Sequence, residues 1–225
     1  MAPVFDHFLI LDFETTSYGS NFDYPFEIIQ FSVAVVDART KRIRTDVSFN
    51  KYVRPVINPI LTEHCQSFTG IEQKSLNEAD LFQDVYYQFL RWLSNNNFIE
   101  KKFVMVCDSR QDLWRIAQWQ FRYCGIIMPP FFRQYVNLWR TFEWEQERLG
   151  TKVLVKDTNI GKMCEYYNVE FIGRAHDALN DVLNLALVVE KMLESGAHIT
   201  VNEELVCRTV VSLILFNNID IRRFQ

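Results

Sequence analysis

At 225 residues, 48% of them hydrophobic and 15% aromatic, the chain holds enough apolar material for one large core in one generous domain. Charged residues make up 23%, which excludes global disorder. The net charge of −4 excludes gripping long duplex nucleic acid by bulk field, so any polyanion it binds is held locally.

The first element expected is a strand, Phe8 to Leu11, followed at once by Asp12, Phe13 and Glu14. Its apolar run breaks at Asp12 and no charged leader region precedes it, so no signal peptide is expected. A polar loop ending at Pro25 leads to "EIIQFSVAVVD" (27–37), a long β-branched strand. "TDVSFNKYVRP" (45–55) alternates as its half-exposed partner, and the three strands form an antiparallel meander. A short helix in "LTEHCQSFTGI" ends at the Thr69-Gly70 turn, and apolar positions at helical spacing predict a helix from Glu78 to Trp92. "KFVMVCD" (102–108) reads as a strand covered on both faces, and 112–125 as a helix stopped by Gly125. "NIGKMCEYYNV" predicts a short helix, and 176–193 a long one, apolar around most of its circumference. The fold class is α/β, a mixed sheet with an antiparallel meander and then parallel strands, flanked by helices. One domain is expected over 1–205, with 206–225 packed on it as a tail rather than as a separate domain. The apolar run at 209–216 is too short to span a bilayer, so no membrane partner is expected. Cys65, Cys107, Cys124, Cys164 and Cys207 are scattered without a CxxC pair, which fits an intracellular location, cytoplasmic, nuclear or both.

The acids carry the chemistry. Asp12 and Glu14 share one face of a strand, where they repel unless something positive lies between them. Asp108 and Asp112 end the second core strand; Asp108 suits an N-cap, whereas Asp112, at the helix start, can face the sheet end. Asp181 is embedded in an apolar helix beside Leu179, Val182 and Leu183, a costly place for a carboxylate without a partner. His176 and Asp181 would stand about 140° apart on a helix. They meet only if His176 sits on the preceding loop with Asp177 as cap. Convergence of Asp12, Glu14, Asp112 and Asp181 would suit hard divalent cations, Mg²⁺ or Mn²⁺ rather than zinc.

Asp12-Phe13-Glu14, then Asp112, then His176 with Asp181, resemble the three motifs of the DEDDh exonucleases, a DnaQ-like branch with an RNase H-like fold. "YPFEIIQFSVAVVDARTKRI", "YVRPVINPILTEHCQSFTGI", "TNIGKMCEYYNVEFIGRAHDALNDVLNLA" and "SGAHITVNEEL" are similar to the enhanced-RNAi and three-prime histone mRNA exonuclease group, over about residues 8–205. The resemblance implies 3′→5′ removal of 5′-mononucleotides by two Mg²⁺ ions, with Mn²⁺ as a substitute. Asp12 would touch both ions, Glu14 and Asp181 the ion that carries the attacking water, and Asp112 the ion beside the leaving oxygen. His176 would be the general base, with Glu14 beside it in the catalytic set. Substrate contacts are expected from Phe13, Thr15, His64, Leu113 and His176. Gln111 and His64 stand where the group commonly has aromatics, so a looser grip on the end base, or its recognition by hydrogen bonds instead of stacking, is expected. The substrate implied is single-stranded RNA or a 3′ overhang. Two alternatives stay open: a DNA exonuclease, or an inactive binding module of the same fold. Candidate backbone contacts are Lys101, Lys102, Arg133, Arg140, Lys152 and Lys156. The aromatics of "FFRQYVNLWRTFEW" fit a core better than a single-strand track.

Overall fold

A computed structural model describes residues 4–19, 25–151 and 158–205. The expected tail and the candidate contacts Lys152 and Lys156 lie outside the described residues. Six strands form one sheet: β1 (His7–Thr15), β2 (Ile28–Asp37), β3 (Arg42–Tyr52), β4 (Phe103–Cys107), β5 (Gln134–Asn137) and β6 (Glu203–Glu204), in the order β3-β2-β1-β4-β5-β6. β1, β2 and β3 pair antiparallel, β4 runs parallel to β1 and β5 parallel to β4, while β6 returns antiparallel. The mixed α/β sheet expected from the sequence is therefore present.

Among the described residues seven α-helices flank it: α1 (Glu63–Thr69), α2 (Gln73–Asn77), α3 (Phe82–Asn95), α4 (Gln118–Tyr123), α5 (Leu138–Leu149), α6 (Ile160–Tyr166) and α7 (Ala178–Glu194). A π-wound segment, Asp112–Ala117, leads directly into α4. Boundaries differ from the expected ones where local signals are soft. α3 begins at Phe82 rather than Glu78, and β3 runs from Arg42 to Tyr52 rather than from 45 to 55. α2, β5 and α5 were not anticipated. β5 is four residues long, too short for alternation to be read, and its Tyr135 is buried beside Phe132 in the core.

Alternation along β1 builds two cores. Leu9, Leu11 and Phe13 join one with Phe31, Phe89, Leu113 and Phe121, beneath α3 and α4. Phe8 and Ile10 join the other with Val182, Leu185 and Val189 of α7 and Phe142 of α5. Asp12 and Glu14 continue the register of Phe8 and Ile10, and so emerge on the α7 side. The connection after β3 is held by Glu27, a buried carboxylate that accepts the N–H groups of Val56, Ile57 and Asn58 at 2.8, 2.6 and 3.0 Å.

Candidate active site

The end of β1 is where distant parts of the chain meet. Asp112 reaches the strand from the π-wound segment, and its Oδ1 accepts the Phe13 N–H at 3.3 Å. Asp177 caps α7, accepting from Leu179 N at 3.0 Å and Asn180 N at 3.4 Å. His176, one residue earlier, lies in the left-handed region at φ 63°, an uncommon conformation for a residue with a side chain. Asp181 Oδ2 accepts the His176 N–H at 2.9 Å, while Asp181 Oδ1 is buried with no hydrogen-bond partner. Reactive atoms of Glu14, His176 and Asp181 all lie within 4.8 Å of one another.

Buried amides fix this geometry. Gln30 of β2 accepts the Ala178 N–H at 3.1 Å and donates to Asp177 Oδ1 at 3.3 Å, tying the start of α7 to the sheet. Asn184 exchanges hydrogen bonds with both backbone groups of Ile172, at 2.8 and 2.9 Å, which anchors the loop that carries His176. In that loop Gly173 has φ +71°, and a Cβ there would lie 2.5 Å from the Asn180 side chain, so only glycine fits. The His176 ring stacks on Phe68 at 3.9 Å, and Phe68 stacks on His64 at 5.7 Å. Arg174 donates to the carbonyls of Ser67 and Phe68, clipping α1 to the same loop.

The electrostatics are those of crowded acids. Burial, and then Asp181 and Asp177, push the Glu14 carboxyl up to about 8. Burial raises Asp181 to about 7, with Asp108 and Asp177 adding to it and the His176 N–H opposing. Asp12 is raised by burial and by Asp112, Glu14, Asp108 and Asp181, and Asp112 by burial and Asp108. None of these carboxylates is in an ion pair among the described residues. Burial and Arg174 lower the His176 pKa, favouring the neutral imidazole. Crowding of this kind, with one carboxylate oxygen left unpartnered, fits a site for hard cations.

The structure corrects several expectations. Asp108 is not a helix cap: Gln111 occupies the cap position, and the Asp108 carboxyl lies within hydrogen-bonding reach of Asp112, inside the acid cluster. An Asp before a helix looks like a cap in any sequence, and only the fold reveals its neighbours. Leu113 is 0% exposed and Phe13 is packed on Phe31, so both side chains form the floor under the site. Thr15 is partly exposed at the strand end and His64 is exposed on α1. Lys101 and Lys102 precede Phe103, which pairs with His7, so they lie at the opposite end of β1 from the acids. Arg140 is ion-paired with Glu203 at 3.2 Å, and Arg133 donates to the Met128 carbonyl. Phe68 escaped the sequence reading because a Phe in a short helix suggests core.

Carboxylates from a strand end, a helix start and a last helix, beside a neutral imidazole, define a metal-dependent phosphodiester hydrolase. Residues 9–189 match the Exonuclease (RNase_T) family. The chain is 55% identical to the 3′-5′ exonuclease crn-4 of Caenorhabditis elegans, over 90% of this chain and 68% of that one. It is 28% identical to 3′-5′ exoribonuclease 1 of Mus musculus, over 93% of this chain and 59% of that protein, and so spans little more than half of that relative. A solved structure of the nuclease domain of 3′hExo, a DEDDh family member bound to rAMP, superposes with a TM-score of 0.84 at 28% identity, covering 91% of this chain and 100% of that one. The chain belongs to the exonuclease family, as a DEDDh-type nuclease with an RNase H-like sheet.

Proposed function

We propose that this protein is a Mg²⁺-dependent 3′→5′ exonuclease that releases 5′-mononucleotides from single-stranded RNA or 3′ overhangs. Mn²⁺ substitutes for Mg²⁺, and DNA is a second substrate. The observation that carries the reading is the buried, partnerless Oδ1 of Asp181 facing carboxylates that raise one another's pKa values. Asp12, Glu14, Asp112 and Asp181 hold the ions. Bound there, divalent cations would take up charge on the scissile phosphate and acidify the attacking water. An imidazole nitrogen of His176 accepts the water's proton, a role suited to a ring whose lowered pKa keeps it neutral at physiological pH. Thr15, His64 and His176 contact the terminal nucleotide, while Phe13 and Leu113 support it from below. An RNA substrate is supported by the relative named an exoribonuclease and by the rAMP complex of 3′hExo. DNA stays in view because the relative at 55% identity is named an exonuclease without that restriction. Work inside the cell, in cytoplasm, nucleus or both, is supported by Cys65, Cys107, Cys124 and Cys164, all free thiols.

The test is digestion of matched 3′-labelled and 5′-labelled RNA and DNA, as single strands, overhangs and stem-loops, with Mg²⁺ and with a chelator. The expected products are 5′-mononucleotides from the 3′ end, RNA faster than DNA, and no cleavage with chelator. Asp12→Ala should stop all cleavage; a variant that still trims ends would remove the catalytic assignment.

A further inference from the structure

The helix that delivers Asp112 carries a second pattern on its outer face. Residues 109–124 include Arg110, Arg115 and Arg122, and their one acid is Asp112, which is buried. None of the three arginines is in an ion pair among the described residues. Two of them lie over aromatic rings instead. The Arg110 guanidinium is 4.3 Å from the centroid of Trp114, and that of Arg115 is 5.0 Å from Phe26. Phe26 in turn rests against Trp119 at 6.1 Å. Trp114 and Trp119 are 48% and 40% exposed, two large indole faces open to solvent on one short stretch. Trp114 lies in the π-wound segment and Trp119 in α4 just beyond it.

The segments that carry the ridge are anchored at the end of β1. Glu27, next to Phe26, accepts the Thr16 N–H at 2.8 Å, one residue past the end of β1. Gln120, next to Trp119, accepts the Ile28 N–H at 2.8 Å through its side chain. Phe26 and Trp119 are therefore each next in sequence to a residue bound at the strand end that carries the acids.

We propose that this arginine–tryptophan ridge is the track for the strand on the 5′ side of the scissile phosphate, an inference that rests on the exonuclease reading. Bases stack on indole faces whatever their sequence, as a nuclease that retreats one nucleotide at a time requires, and each such stack is worth on the order of tenfold in binding. The unpaired guanidinium groups supply local positive charge, which a chain of net charge −4 cannot supply as a whole.

Steady-state trimming of a 12-nucleotide single strand and of a dinucleotide tests this in the full chain. Trp114→Ala with Trp119→Ala should raise KM for the 12-mer about 100-fold with kcat within about twofold, and erase the preference for the longer strand. Arg110→Glu with Arg115→Glu, a surface change that spares the rings, should also raise KM and flatten its salt dependence. Trp144→Ala is the control: Trp144 is 49% exposed with Arg140 at 5.7 Å, but that arginine is already paired with Glu203, so KM should stay unchanged. Wild-type KM for the 12-mer in both double variants, as expected if the ridge serves a protein partner, overturns the proposal. Equal loss on 12-mer and dinucleotide overturns it too. A wild type that shortens no strand sinks the exonuclease reading and the ridge with it.

Discussion

Two oxygens of one carboxylate account for the spacing of the last motif. Asp181 Oδ2 holds the backbone of His176, and Oδ1 is left to face the other acids. The left-handed backbone at His176, just before the cap, returns the ring over a site that five helical residues would miss. Phe68 then holds the ring by stacking, an interaction worth roughly 0.5–1.5 kcal/mol. Phe68→Ala should therefore lower kcat for strand trimming up to about tenfold with little change in KM, and Phe68→Leu should recover part of it. An unchanged kcat, or a loss confined to KM, would show that the ring needs no such support. Asp12, Glu14, Asp112, His176 and Asp181 could be singled out in the sequence as candidates because their residue types and order suit metal-ion chemistry. Phe68 and Asp108 were not, since their ordinary uses, core and cap, hide the contacts that only the fold creates.

At the level of elements, alternation did most of the work. The apolar residues of β1 divide between two cores, and the same alternation turns Asp12 and Glu14 toward α7. β2, β4 and α7, long or uniformly apolar, were readable for the same reason. β5 and α5 were not, because four residues show no period and α5 mixes Trp, Arg and Glu around its surface. The π winding that carries Asp112 has no sequence signature to read. Glu27 is an element-level device, one carboxylate pinning three consecutive amides of the connection to α1. Glu27→Ala should lower stability by about 2–4 kcal/mol, because buried donors lose a charged acceptor. A urea titration would read this as a lower midpoint at an unchanged slope.

Across the whole molecule, the acid cluster sets how stability responds to pH. Glu14 rises from its usual 4.5 to about 8 and Asp181 from 3.8 to about 7, so between those limits the folded chain keeps protons that the unfolded chain has released. The stability they confer is complete below their unfolded pKa values and is lost as pH rises through the folded ones. In chelator, the melting temperature should fall as pH rises from about 4 to about 8, and added Mg²⁺ should oppose the fall by binding the ionised site. A chelated protein whose melting temperature holds or rises over that range would contradict the assignment of a raised acid cluster.

The same cluster draws on opposite ends of the described chain, Asp12 on the first strand and Asp181 on the last long helix, with Asp112 midway between. During synthesis the ribosome releases the first acids long before the final one. A half-made chain therefore lacks Asp181, and the acid cluster is complete only when α7 folds against the sheet.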